Sequence, residues 1–349
     1  MSKIARNRLA ATKPMLLLTL GLALALTIIV VLALRAALAP APAKNTPGNA
    51  PIPAGASSEA ASRPIDTINA ALSAADEYLR NGQYVNAGVI LDRATAKFPD
   101  DRQIREVYAA ALLGQQRFDD ALKQLEEGLR IGPPSVKLYM DAGVVANQAG
   151  KTDRAAELLN LGALKDPNEP QLPLYLAMVQ IKQGNDAAAT ASLVKALRLK
   201  DDLPEAWGTL AELALKTNEL SLAKQHIAKA RALQPDNLRW RNTDARIAKR
   251  EGNPRAAIDL LQAFDPEDLY KANALTTLAD ALAMDSKPLA AARLYSNAAI
   301  NIGTDGELYY QAAIFFQKAG DTGMARSSAT LALDLKHAKA KEFLDGLKN

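Results

Sequence analysis

The sequence predicts an all-α protein in which one membrane-spanning helix precedes eight helix–turn–helix repeats of 34 residues each. Three observations lead there. Two columns of small residues recur every 34 positions, the composition is rich in alanine and poor in aromatics, and one uncharged apolar run lies near the N-terminus.

Of the 349 residues 49% are hydrophobic, enough to build extensive cores, so disorder is excluded for most of the chain. Only 5% are aromatic, a balance that suits close helix packing better than strands, which favour branched and aromatic side chains. The absence of cysteine removes disulfides and thiolate metal sites. The net charge of +4 is small, and four basic residues, Lys3, Arg6, Arg8 and Lys13, stand before the apolar run, so the charge balance gives no support to nucleic-acid binding.

The run from Met15 to Leu34 is uncharged, and a helix of that length spans about 30 Å, the thickness of a bilayer core. Four basic residues ahead of it, against Arg35 and Lys44 as the nearest behind it, keep residues 1–14 cytoplasmic and carry the rest across the membrane. Ala37-Leu38-Ala39 has the small-x-small form of a signal cleavage site, but the run is longer than a signal core and Pro40 would follow the cut directly. The favoured reading is an uncleaved anchor over residues 15–38. Residues 39–64 contain Pro40, Pro42, Pro47, Pro51, Pro53 and Pro64 among Ala, Gly and Ser, the composition of a spacer.

From Ile68 onward the chain divides without insertion or deletion into blocks starting at Ile68, Arg102, Val136, Pro170, Pro204, Leu238, Ala272 and Gly306. Block position 20 is alanine in all eight: Ala87, Ala121, Ala155, Ala189, Ala223, Ala257, Ala291 and Ala325. Position 8 is uniformly small, from Ala75 and Ala109 through Gly143 to Ala313, which marks a close helix crossing where a larger side chain would force the axes apart. Position 24, four residues after the alanine column, is apolar in every block (Leu91 and Leu125 through Tyr295 and Ala329) and keeps one helical face. Position 15 is Gly82, Gly150, Gly184, Gly252 or Gly320 in five blocks and Asn218 in a sixth, residues that accept a left-handed conformation after a helix. Pro99, Pro133, Pro167 and Pro235 at position 32 stop the second helix.

This pattern resembles the tetratricopeptide repeat, with its 34-residue period and W-x₂-L-G-x₂-Y…A-x₃-F…P signature, over Ile68 to Lys339. The fifth block carries it best, with Trp207, Leu210, Ala211, Ala223, Ile227 and Pro235. Block six departs with Asp244 at an apolar position and Phe264 at a small one, and block seven with Ser286 and Pro288 around its turn and Gly303 near its end. The resemblance implies a right-handed superhelical solenoid over 65–339, closed by a short capping helix in 340–349 that carries Phe343, Leu344 and Leu347.

Chemistry finds little purchase. The two histidines, His226 and His337, have no ligand cluster beside them in sequence, and there is no phosphate loop, nucleophile elbow or paired-carboxylate motif, so neither a cofactor, a metal nor a reaction is expected. Stacked hairpins offer an extended concave surface suited to proteins.

The resemblance implies that block positions 2, 5, 9 and 12 line that surface. The lining is then apolar around Met140, Val144, Leu174, Met178 and Ile181, and basic around Arg239, Asn242, Arg246 and Lys249, with Arg241 and Arg250 alongside. A partner segment with apolar residues and an acidic group would match both stretches. The carboxylate clamp of some family members is not evident, since its positions here include Leu72, Asp76 and Asp141.

The expectation is thus a scaffold held in a bacterial inner membrane, its repeats in the periplasm or beyond, serving assembly of an envelope complex for secretion, polysaccharide export, pilus formation or cytochrome maturation. A holding chaperone for translocated clients is the alternative, an enzyme without a recognisable motif the remotest. Self-association through either terminal face stays open.

Overall fold

A computed structural model describes residues 57–271, 273–302 and 305–347. All regular elements among them are helices. The cytoplasmic stretch, the anchor at 15–38 and most of the spacer lie outside the described residues; among those described, no helix is long and apolar enough to cross a membrane.

The described residues divide into two compact units between Ser192 and Leu193. In the first, α1 (Ser58–Ser62) precedes the hairpins α2 (Ile68–Arg80) with α3 (Tyr84–Lys97), α4 (Arg102–Gly114) with α5 (Phe118–Arg130), and α6 (Val136–Gln148) with α7 (Thr152–Lys165), followed by α8 (Gln171–Lys182). The division falls within α9 (Asp186–Leu199). The second unit contains α10 (Pro204–Lys216) with α11 (Leu220–Leu233), α12 (Leu238–Arg250) with α13 (Pro254–Leu261), α14 (Pro266–Lys271), α15 (Leu275–Met284) with α16 (Pro288–Ile302), α17 (Gly306–Lys318) with α18 (Thr322–Asp334), and α19 (Ala340–Gly346).

Helices start where the 34-residue frame puts them, at Ile68, Arg102, Val136, Pro204, Leu238 and Gly306, one residue late at Gln171, and at Leu275 in the block framed from Ala272. The residue just ahead of a block start explains the agreement. Thr67, Asp101 and Ser135 accept hydrogen bonds from the amides of Ala70 (3.1 Å), Ile104 (2.8 Å) and Leu138 (3.1 Å), and Asn237 and Asp305 do the same in the second unit. Each such cap stabilises its helix by about 1 kcal/mol.

Between the helices of every block the chain passes through the left-handed region at position 15. Five glycines (φ +68° to +79°) and Asn218 (+65°) do so at little cost, while Gln116 (+60°) and Ser286 (+59°) complete the set as side-chain-bearing exceptions. The alanines of position 20 are all fully buried. Gly143 shows why position 8 is small: a Cβ there would lie 2.7 Å from Leu159 Cγ and 3.3 Å from the carbonyl of Ala155, the position-24 and position-20 residues of its own block.

One core runs through the first unit from Ala60 to Val179. In the second unit a cluster around Trp240 takes in Ala211 to Ile247, and another extends from Ala245 to Leu347. Trp240 fits because residue 208 is glycine, where a Cβ would come within 2.2 Å of the indole ring.

Three stretches depart from the sequence reading. Residues 57–64, given to the spacer by composition, are part of the first unit. There Ala60 is fully buried, the Ser57 amide donates to Asn86 Oδ1 (3.0 Å), and Arg93 Nη1 donates to the carbonyls of Ala60 (3.2 Å) and Arg63 (3.1 Å). In block six the second helix, α13, stops after 8 residues where α11 runs for 14. Pro266 lacks the amide that would continue the helix and disfavours helical geometry at Asp265, so the chain turns and restarts as α14. The two odd residues of that block are accommodated: Phe264 lies in the turn beneath the Arg241 guanidinium (5.4 Å to the ring centre), and Asp244 is bonded by Arg231. In block seven Pro288 opens α16, where a missing amide costs nothing. At the C-terminus α19 lies against α18, with Leu347 buried and Phe343 edge-on to Tyr310 (5.8 Å).

Candidate partner-binding surface

In the first unit Met140 and Val144 on α6 and Met178 and Ile181 on α8 are half-buried; the first three rest on the core and show their remaining surface to solvent. Leu113, at position 12 of α4, does likewise and was missed by the sequence reading, although its block position pointed to it. Leu174 belongs elsewhere, for at 5% exposure it lies in the core.

Polar groups flank this apolar stripe. Lys137 donates to Asp141, yet burial outweighs that bond and holds the Asp141 carboxyl above its ordinary range. Glu106, at position 5 of α4, is also pushed up, chiefly by burial and against the pull of Lys137. A surface of thioether and aliphatic side chains with few fixed polar groups adapts to varied apolar sequences.

The basic helix α12 presents a different picture. Arg239 donates twice to Glu212 (3.0 and 2.6 Å) and lies over the Trp240 ring at 4.8 Å. Lys249 donates to Asp280 (2.8 Å), Arg241 to Asp236 (3.0 Å), and Arg250 to the carbonyl of Leu215 (2.6 Å). Asn242 is buried, at 8% exposure, and donates to the carbonyl of Asn273 (3.4 Å). Of the basic residues on α12, Arg246 alone has neither an ion pair nor a hydrogen bond to the described residues.

Arg250 shares its role with Lys182 in the first unit. Both occupy block position 13, and Lys182 donates to the carbonyl of Asn147 (2.6 Å) as Arg250 does to that of Leu215. Each cation sits at the C-terminal end of the preceding block's first helix, where the helix dipole welcomes positive charge.

The histidines do not converge on one another. His226 packs on Trp207 (5.5 Å between rings), and burial lowers its pKa; His337 meets Glu307 Oε2 at 2.7 Å and stacks on Tyr310 at 4.2 Å. Among the described residues no group of three or more His, Cys, Asp or Glu is placed to hold a metal ion.

Comparison with known proteins agrees with this architecture. The tetratricopeptide repeat family profile matches residues 78–140 and 112–180. Human tetratricopeptide repeat protein 7B is 28% identical over 135 residues, which are 38% of this chain and 16% of that protein. The fold is similar to the APC/C hetero-tetramer Cut9–Hcn1 (TM-score 0.54, 14% identity, 81% of this chain and 56% of that one) and to a tetratricopeptide repeat protein of Parabacteroides merdae (TM-score 0.52, 16% identity, 71% and 99%). The tetratricopeptide repeat profile thus covers residues 78–180, and the eight-block frame, the buried alanine column and the left-handed turns carry the same helical-repeat architecture through the other described blocks.

Proposed function

We propose that this protein is a single-pass scaffold of a bacterial inner membrane, held by residues 15–38 with its repeats on the outer side, and that it organises an envelope-assembly complex without catalysing a reaction. The partner lies along the first helices of the first unit. The half-exposed stripe of Met140, Val144, Met178 and Ile181 carries this reading, because apolar surface at recurring block positions gains free energy only when something covers it. The uncharged run behind four basic residues supports the anchor.

Photo-crosslinking in living cells tests the proposal. A photoreactive residue replaces Met178 in one strain and Leu164, 79% exposed on the second helix of block three, in another. A few proteins captured in defined ratio at 178 and absent at 164 is the expected outcome. Capture of many unfolded proteins at 178 would instead establish a holding chaperone, and equal capture at both positions would remove the site. Since the chain has no cysteine, Leu164→Cys also provides a unique thiol: with the outer membrane permeabilised and the inner intact, an impermeant maleimide should label it.

A further inference from the structure

Along the first helices of the first unit, block position 5 reads Leu72, Glu106, Met140 and Leu174, three apolar residues and one carboxylate. Glu106 is half-buried on α4 and makes no hydrogen bond or ion pair to the described residues. Two cations lie close enough for their fields to reach it, and both are committed elsewhere: Lys137 is held by Asp141 one turn along α6, and Arg102 donates to the carbonyls of Gly128 (3.2 Å) and Pro133 (3.0 Å). Asp141 and Asp101 act on it in the opposite sense. Lys137, Met140, Asp141 and Val144 are spaced i, i+3, i+4 and i+7, so the side of α6 whose charges reach Glu106 is also the side that carries the half-exposed Met140 and Val144. An unmatched carboxylate thus borders the apolar stripe.

Burial there disfavours the charged form, a cost that a glutamine of the same shape would not carry. The free protein gains nothing from this charge, whereas a cation brought against it would offset the cost. We propose that the segment bound along the stripe is basic as well as apolar, with an arginine placed on Glu106 and its flanking residues covering Met140, Val144 and Met178. Arginine fits because its guanidinium is weakly hydrated and bonds a carboxylate at two points. The acidic partner segment expected from the sequence is thereby reversed, since the α12 cations that suggested it are matched within their own unit. The proposal rests on the first-unit stripe being the partner's site.

The test selects phage displaying random linear peptides on the full chain in detergent micelles. Enriched sequences should hold an arginine or lysine between apolar residues. Fluorescence anisotropy with one such peptide, fluorescein-labelled, should show its affinity lowered at least fivefold by Glu106→Gln and at least tenfold by Glu106→Lys. Replacing the peptide's basic residue by glutamate should recover binding to Glu106→Lys. Glu106→Gln is expected to be the more stable protein at neutral pH, so its loss of affinity is not loss of fold. Enriched peptides without a basic residue, or a peptide bound equally by wild type and Glu106→Gln, overturn the proposal. If such a peptide is weakened by Met178→Gln, the stripe stands as the binding site and only the charge is wrong. If Met178→Gln is equally silent, or no peptide is enriched, the site falls with it.

Discussion

Helices α6 and α12 occupy the same place in their blocks, and their sequences promise opposite surfaces, one apolar and one basic. Only the first keeps its promise. On α12 the cations are matched one by one from neighbouring elements, leaving Arg246, while on α6 Met140 and Val144 remain half-open to solvent. A charge on a repeat surface is readily neutralised by the adjacent repeat, because long side chains reach across. An apolar residue at a lining position has no such remedy.

The largest effect that would sharpen this contrast comes from beneath the charges. Trp240→Ala should destabilise the second unit by about 3–5 kcal/mol, since the indole is fully buried and Gly208 leaves nothing to fill the space. Met140→Ala, removing a half-buried side chain, should cost about 1–2 kcal/mol. Chemical denaturation of each variant measures both. Equal losses would mean that α6 is as deeply committed to its core as α12.

Next in size is the difference between a used and an unused cation. Lys249→Glu should lower stability by on the order of 1 kcal/mol, and Asp280→Lys in the same chain should restore most of it. Arg246→Glu should stay within about 0.5 kcal/mol of wild type. A Lys249 variant as silent as the Arg246 one would show the ion pair to be without weight. At the turns, Gln116→Gly and Ser286→Gly should each raise stability by about 0.5–1 kcal/mol, because glycine adopts the left-handed conformation that these residues hold under strain.

The smallest effect concerns Glu106. Burial raises its pKa in the folded state, so the stability linked to it is present below the ordinary glutamate range and lost as the pH rises through the raised value. Glu106→Gln should therefore be more stable than wild type at neutral pH. That advantage should fade as the pH falls through this window and vanish below it. Denaturation midpoints of the two proteins across the pH range decide the matter, and a constant difference would contradict the assignment.

How much was legible follows from the same physics. The small columns announced the hairpins because a close helix crossing tolerates nothing larger, as Gly143 against Leu159 shows. Six of the turns were readable from Gly or Asn, whereas Gln116 and Ser286 were not, since flanking helices can force other residues into the left-handed region. Charges were the least legible part of the site. Arg239 finds Glu212 at a separation of 27 residues and Lys249 finds Asp280 at 31, a reach that only the stacked fold supplies.

Leu174 was misplaced because α8 has apolar residues on several faces. Leu172, Pro173 and Tyr175 are buried beside it, and periodicity does not single out a face there. The break in block six could have been read from Pro266, which falls inside the span where the second helix of other blocks continues.

The contrast between the two helices is tested most directly by the affinity of a partner captured at position 178 for two variants of the full chain. Met178→Gln keeps the shape of the side chain and makes it polar; Arg246→Glu reverses the one unused cation. The account predicts at least a tenfold loss for Met178→Gln and less than a twofold change for Arg246→Glu at physiological salt. A large loss on reversing Arg246, with Met178→Gln silent, would contradict it and return the binding surface to the basic helix.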